Sequence, residues 1–350
     1  INHAAQNDFK LVIALDCGIK AVEKVKYASS LGVDFIICDH HNPDDVLPAA
    51  IAVLDAKRED CNYPYKHLSG CGVGFKLMQA FAIVNEIDFQ NLIPLLDLVA
   101  LSIASDIVPI TGENRILAFY GIKQINTNPS TGIKAILEVC GLKDKEISIS
   151  DIVFKIGPRI NASGRMKLAT EAVELLVARD YGFAYKRSST INVYNNDRKD
   201  LDKSITDEAI AMIRADQSYV DRKSIVVYKP DWHKGVIGIV ASRLSEEYYK
   251  PTIVLTKSNG FASGSARSVS GFDLYKAIDT CRDLLENFGG HMYAAGLTMK
   301  EENVEEFTRR FEQYVSDNIL EDQTYPQIEI DAVLQFSDIT PKFFRVLKQF

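Results

Sequence analysis

Apolar residues run together at Leu11–Leu15, then at residues 33–38 and 51–54, in stretches of the length of buried strands. Between the first two, a polar–apolar mix over residues 20–30 predicts a helix that ends at Gly32. Residues 72–84 and 92–105 predict two more helices. Strands that alternate with helices predict a parallel sheet with helices on both faces, and ligands at the carboxyl ends of its strands. A long helical region follows over residues 170–215, interrupted near residues 180–182. Its later half, through Asn195, Asn196 and Asp197, is polar enough to predict a solvated connector. A second alternating block starts at residues 224–228, includes a strand at 252–256 and ends in an amphipathic helix at Val304–Asn318. After a polar break at 321–326, residues 327–336 alternate like a strand of a further β unit. The predicted fold class is therefore α/β, with a parallel-sheet domain joined by a long helix to a smaller α/β domain.

Length and composition agree. At about 100–200 residues per domain, 350 residues suggest two domains and part of a third. Hydrophobic residues at 47% and charged residues at 25% describe a globular chain, and no apolar stretch approaches the ~20 residues of a membrane span. The six cysteines form no C-x-x-C pair, so zinc is not signalled. Cys17 and Cys38 sit in or beside apolar strands, which suits buried thiols in a reducing cytoplasm. Ile1, with a strand soon after it and no signal-peptide pattern, suggests a chain cut at its start. The net charge of −7 argues against nucleic acid for the chain as a whole, but residues 155–200 hold nine Lys/Arg against five Asp/Glu.

Candidate chemistry falls at the predicted strand ends. Asp16 follows the first strand directly, and Asp39-His40-His41-Asn42-Pro43 follows the second. An acid and two imidazoles there can hold a divalent metal and orient one another. Asp16 could also cap the next helix. Asp106, after the long apolar helix, could cap or reach the same site. Glu113 and Arg115 suggest a surface ion pair. Carboxylates with histidine and no thiolates suit Mn²⁺ or Mg²⁺, and two such ions about 4 Å apart hydrolyse phosphodiesters. In Gly157–Met166, Arg159, Asn161 and Arg165 lie among small residues that leave the backbone open, either as a phosphate contact or as an ordinary basic loop. Ser265 and Arg267 repeat that logic in a Gly-rich loop, and Gly289, Gly290 and His291 supply another. His233 could cap a helix or belong to the core.

The runs D-H-H-N-P, D-C-G-I at 16–19 and S-D-I-V-P-I-T-G-E-N-R at 105–115 resemble the motifs of the DHH phosphoesterases. G-P-R-I-N-A-S-G-R-M at 157–166 is similar to the RecJ family, and G-S-A-R-S with G-G-H-M-Y-A-A-G is similar to the accompanying DHHA1 domain. The resemblance covers nearly the whole chain. It implies a DHH domain over 1–185, a connecting helix at 186–218, a DHHA1 domain over 219–320 and the start of an OB-like domain at 326–350. It implies 5′→3′ exonuclease activity on single-stranded DNA with a 5′ phosphate, dependent on two Mn²⁺ or Mg²⁺ ions, in recombination and repair. Single-strand-binding protein or a helicase would be partners. By position, Asp16, His40 and Asp106 would be metal ligands, His41 would face the scissile phosphate and Asp39 would support the site. Arg159, Asn161 and Arg165 would follow the DNA backbone. Ser265 and Arg267 would hold the 5′ phosphate, with Gly289, Gly290 and His291 lining the same cleft.

The resemblance also implies an Asp-rich D-x-D strand end before Asp16. Nothing upstream matches it, and Asn7-Asp8 is not at a strand end. Without those acids the expectation is weak binding of one ion and slow or no cutting. Two other readings share these motifs: a phosphodiesterase for short oligonucleotides or cyclic dinucleotides, and a non-catalytic nucleic-acid-binding scaffold.

Overall fold

The alternating first third folds as the predicted parallel sheet. A short helix α1 (Asn2–Gln6) precedes β1 (Leu11–Leu15), then come α2 (Val22–Ser30), β2 (Asp34–Cys38) and β3 (Ala52–Leu54). The computed structural model describes residues 1–348. The strands lie in the order β1-β2-β3, all parallel, with Leu15 opposite Cys38 and Cys38 opposite Leu54. This register puts the three carboxyl ends level. The ladder runs one step further, because Asp16 N–H donates to the Cys38 carbonyl at 2.9 Å and Asp39 N–H to the Leu54 carbonyl at 3.0 Å.

Cover by helices on both faces is incomplete. β1 is an edge strand, and its alternate residues Leu11, Ile13 and Leu15 stay about half-exposed. The helix α3 (Gly70–Val84) comes close to β1 through its first two turns, at Gly70 and Gly74. Then follow α4 (Leu96–Ser105), α5 (Gly112–Thr127), α6 (Thr131–Val139) and the single turn α7 (Ile149–Asp151). Ser148 opens α7 with a reciprocal cap: its hydroxyl accepts from Asp151 N–H, and the Asp151 carboxylate accepts from Ser148 N–H at 3.0 Å. A wide π-turn at Ile152–Ile156 leads into α8 (Gly157–Met166), then α9 (Thr170–Leu176) and α10 (Tyr181–Ala215). Buried Ala100, Ala104, Ile133, Ile136, Ile152, Ile156 and Leu175 fill the core between these helices.

The chain divides into two compact units, Ile1–Lys199 and a second from Asp200 onward. In the second, α11 (Ser218–Asp221), β4 (Ile225–Tyr228), α12 (Ile237–Tyr248), β5 (Thr252–Ser258) and β6 (Phe261–Arg267) are followed by α13 (Leu274–Asp279), β7 (Leu285–His291), β8 (Ala294–Met299) and α14 (Val304–Asn318). The sheet order is β4-β5-β6-β8-β7, with β4 and β5 parallel and the rest antiparallel. α14 buries Phe307, Phe311 and Val315, one helical face at a spacing of four, against Leu255, Leu274, Leu297 and Met299.

Three expectations are corrected. The polar half of α10 is no simple solvated connector, since Ser188, Asn195 and Asp202 are buried; Arg243 meets the Asp202 carboxylate at 2.8 Å. The strand expected at 327–336 is not formed: among the described residues no strand pairs with it, and Ile328, Ile330 and Phe336 are exposed. A short helix α15 (Pro341–Leu347) follows, and Gln349 and Phe350 of the expected OB-like unit lie outside the described residues. Of the cysteines, Cys38 and Cys281 are buried, but Cys17 is exposed because it sits on the turn after β1.

The Asp151 carboxyl is held down at about 2, first by the Lys155 ammonium and then by the Ser148 N–H and hydroxyl. A depressed carboxyl stabilises the fold above its ordinary pKa, and that contribution is lost as pH falls from about 4 toward 2. Ser148→Ala should therefore lower stability by about 1 kcal/mol near neutrality, with the difference shrinking at acid pH. Denaturant midpoints across that range read this directly.

Candidate metal centre at the strand ends

The level strand ends put Asp16, Asp39 and Asp55 in one row, each one residue beyond a paired position. Asp39, only 1% exposed, is the hub. Its Oδ2 accepts Ile19 N–H at 2.9 Å; its Oδ1 accepts His40 N–H at 2.8 Å, His41 N–H at 3.3 Å and the His41 ring at 2.7 Å. Burial alone pushes this carboxyl up. The N–H of Ile19, the His41 ring and the N–H groups of His40 and His41 outweigh it and hold the pKa below the usual range. An ionised carboxylate only accepts, so His41 Nδ1 carries the hydrogen of this bond.

His40 is the meeting point. Its Nε2 lies 3.0 Å from Asp16 Oδ1 and 3.4 Å from Asp106 Oδ2. The Asp16 hydrogen bond raises the His40 pKa; burial opposes this, and the charges of Asp106 and Asp16 add to it. Ligand atoms of Asp16, His40 and His41 all lie within 4.8 Å of one another. Two carboxylates converging on one imidazole nitrogen favour either a proton there or a divalent cation, and with no thiolate in the set they fit a hard or borderline ion.

Asp16 is not a helix cap, since Ala21 starts α2 and no side chain caps it. It takes a left-handed backbone, φ 63°, uncommon outside glycine. Its carboxylate lies against Gly70: a Cβ on Gly70 would fall 2.1 Å from Asp16 Oδ1. Only glycine fits there, and α3 starts at that point with the Ser69 hydroxyl accepting Gly72 N–H. Asp106 follows the last residue of α4, and the next residue, Ile107, has φ 55°, a conformation costly for a β-branched side chain.

Glu113 is more than a surface ion pair. Lys76 (2.7 Å) and Tyr63 (2.6 Å) both bond it, and its side chain is 26% exposed. The buried Asn114 side chain donates to the His67 carbonyl at 2.6 Å and the Pro109 carbonyl at 3.0 Å, tying the segment after Asp106 to the loop before α3. Asp55 and Asn114 were not singled out from the sequence. Asp55 is buried; burial raises its pKa, Lys57 N–H opposes this at Oδ1, and the Asp39 charge adds to the rise. The strand-end rule would have found Asp55; Asn114 lies in the 105–115 run, but nothing local marks its side chain as the tie.

The stretch at 157–166 is helical rather than open, so its backbone N–H groups are used within α8 and only side chains can meet a phosphate. Arg159 is half-buried, its Nε donating to Asn192 Oδ1 at 2.8 Å and its Nη1 to the Lys155 carbonyl at 2.6 Å. Asn161 and Arg165 are exposed on the same helix.

In the second unit, Ser265 and Arg267 lie on β6, a strand rather than a loop. Arg267 bonds the Ser265 hydroxyl and the Ser242 hydroxyl, each at 3.1 Å. Gly289, Gly290 and His291 are likewise strand residues, exposed on edge strand β7 and paired with Gly296, Ala295 and Ala294. Alternating small residues let these segments pair where composition alone suggested loops. His233 is exposed and accepts Gly235 N–H at 3.1 Å just before α12, a local turn rather than a core position. The exposed Asp8 lies between α1 and β1 and pairs with Lys10, away from any strand end.

Known proteins match both parts of the chain. Residues 1–103 match the model of the DHH family N-terminal domain, and residues 221–317 match the DHHA1 domain. The single-stranded-DNA-specific exonuclease RecJ of Bacillus subtilis is 39% identical over 337 residues, 96% of this chain and 42% of that protein. The RecJ of Escherichia coli is 33% identical, over 99% of this chain and 63% of that protein. The crystal structure of Thermus thermophilus RecJ in complex with Mn²⁺ superposes with a TM-score of 0.85 at 27% identity, over 99% of this chain and 51% of that one. Over nearly its whole length the chain is similar to these RecJ proteins. It spans about half the length of these RecJ proteins. No helix among its described residues is long and apolar enough to cross a membrane.

Asp39→Asn should be the most damaging isosteric change at this site. An amide nitrogen cannot accept, so at least one buried N–H loses its partner, at about 1–3 kcal/mol. Because the wild-type carboxyl is depressed, its stabilisation is present above the ordinary carboxylate pKa and fades as pH falls through and below it. The variant should flatten that acid limb in denaturant unfolding measured against pH.

Proposed function

We propose that the chain is the catalytic part of a metal-dependent exonuclease that degrades single-stranded DNA from its 5′ end in recombination and repair. The observation that carries this reading is the convergence of Asp16 and Asp106 on His40, beside a His41 fixed by the buried Asp39. Asp16, His40 and Asp106 would hold Mn²⁺ or Mg²⁺. Once bound, the ion supplies a water of lowered pKa and positive charge for the leaving oxygen.

The chain's own residues do the rest. Asp39 fixes the ring of His41, which would face the scissile phosphate. Arg159 has one terminal nitrogen outside its two internal bonds, and with Asn161 and Arg165 it would follow the DNA backbone through phosphate contacts. Ser265 and Arg267, with Gly289, Gly290 and His291, would hold the 5′ phosphate. Anchoring that terminal charge is what gives a 5′→3′ direction. The domain limits given above, a cytoplasmic location and partners such as single-strand-binding protein or a helicase belong to the same reading.

The test is degradation of 5′-phosphorylated single-stranded DNA with Mn²⁺, by this chain and by the product of the whole reading frame side by side. Release of nucleotides from the 5′ end, reduced at least about a hundredfold by His40→Ala, is the expected result. Binding without cutting by the whole product would favour a scaffold, and a preference for short oligonucleotides would favour the phosphodiesterase reading.

A further inference from the structure

The segment from Asp151 to Met166 is helical throughout, yet it contains a π-turn at Ile152–Ile156 and a glycine directly after it. A π-turn holds one extra residue, which rotates everything beyond it by about 100° relative to a plain α-helix. Glycine inside a helix costs about 1 kcal/mol relative to alanine. Both features are unfavourable locally, so tertiary packing must require them.

The packing partner is the end of α4. A Cβ on Gly157 would lie 2.8 Å from Ser105 Oγ and 3.2 Å from the Ile152 carbonyl. Gly164, later in the same helix, would meet only Ala169 Cβ at 3.5 Å, an ordinary contact. Ser105 Oγ is buried with no hydrogen-bond partner among the described residues, so the hydroxyl occupies space there rather than making a bond. Ser105 is the last residue of α4, Asp106 follows it, and the strained Ile107 comes next. Two residues beyond Gly157 stands Arg159, locked to Asn192 and the Lys155 carbonyl.

We propose that the contact between Gly157 and Ser105 is a positioning joint. It fixes α8, with Arg159, Asn161 and Arg165, at one spacing and one rotation from Asp106. The π-turn supplies the rotation and the missing side chain supplies the spacing. Gly157 and Ser105 touch no substrate; they act through Asp106 and α8. The inference rests on the functional reading above for what those side chains meet.

Gly157→Ala puts a methyl 2.8 Å from Ser105 Oγ, so the Ser105 side chain and the end of α4 must shift, although the change favours the helix itself. In the purified chain it should weaken Mn²⁺ binding, read by calorimetry, by roughly tenfold or more. It should also speed amide hydrogen exchange both at residues 100–107 and at 157–166. Adding Ser105→Ala gives the new methyl room and should reverse both effects, while Ser105→Ala alone leaves the thermal midpoint unchanged. Faster exchange confined to 157–166, or a loss that the double variant keeps, would overturn the joint. If Gly157→Ala does not fold, the double variant decides alone: folded with wild-type Mn²⁺ affinity supports the joint, and unfolded contradicts it. A wild-type chain that takes up no Mn²⁺ would defeat the functional reading instead, and the exchange pattern would still decide the joint.

Discussion

A buried carboxylate needs hydrogen-bond donors, and the way Asp39 acquires them organises the first unit. Its two oxygens gather Ile19 from the turn after β1 and the two histidines that follow it in sequence. Removing an ion from water costs several kcal/mol unless donors replace the hydration. The turn after β1, the exit from β2 and the ring of His41 are therefore fixed by one side chain. His40 is then left between Asp16 and Asp106.

The parallel register makes this possible. Because Leu15, Cys38 and Leu54 are level, the chain leaves three strands at the same height. Gly70 leaves room for Asp16 beside the start of α3, and Asn114 ties down the segment that follows Asp106. Local strain accompanies this convergence, at φ 63° for Asp16 and 55° for Ile107. Strain of this kind persists only where the surroundings over-determine it. Those surroundings include the Asp39 network and the tight contact of α4 with α8.

Much of the first unit could be read from the sequence because its signals are local. Short apolar runs ending in Asp16 and Asp39 announced strands with ligands at their ends, and the helix over residues 304–318 was legible from its period. What escaped depends on distant pairing. Ser265 and Gly289 were placed in loops because small residues look permissive; strand partners on both sides of β6, and β8 beside β7, decided otherwise. The 157–166 stretch reads as open for the same reason, although it is helical and Gly157 packs against Ser105. The opposite error occurred at 327–336, where alternation suggested a strand that lacks a neighbour among the described residues. Asp55 carries no motif, Asn114 has no role of its own within the 105–115 run, and the importance of both appears only with their burial.

On the reading proposed above, the strand ends of this chain hold a divalent cation through His40, Asp16 and Asp106. Titration of the purified chain with Mn²⁺, followed by the loss of the free-ion electron paramagnetic resonance signal, tests it most directly. The account predicts saturable binding that Asp16→Asn largely abolishes while the fold, checked by circular dichroism, is retained. Binding of equal strength in that folded variant would contradict it.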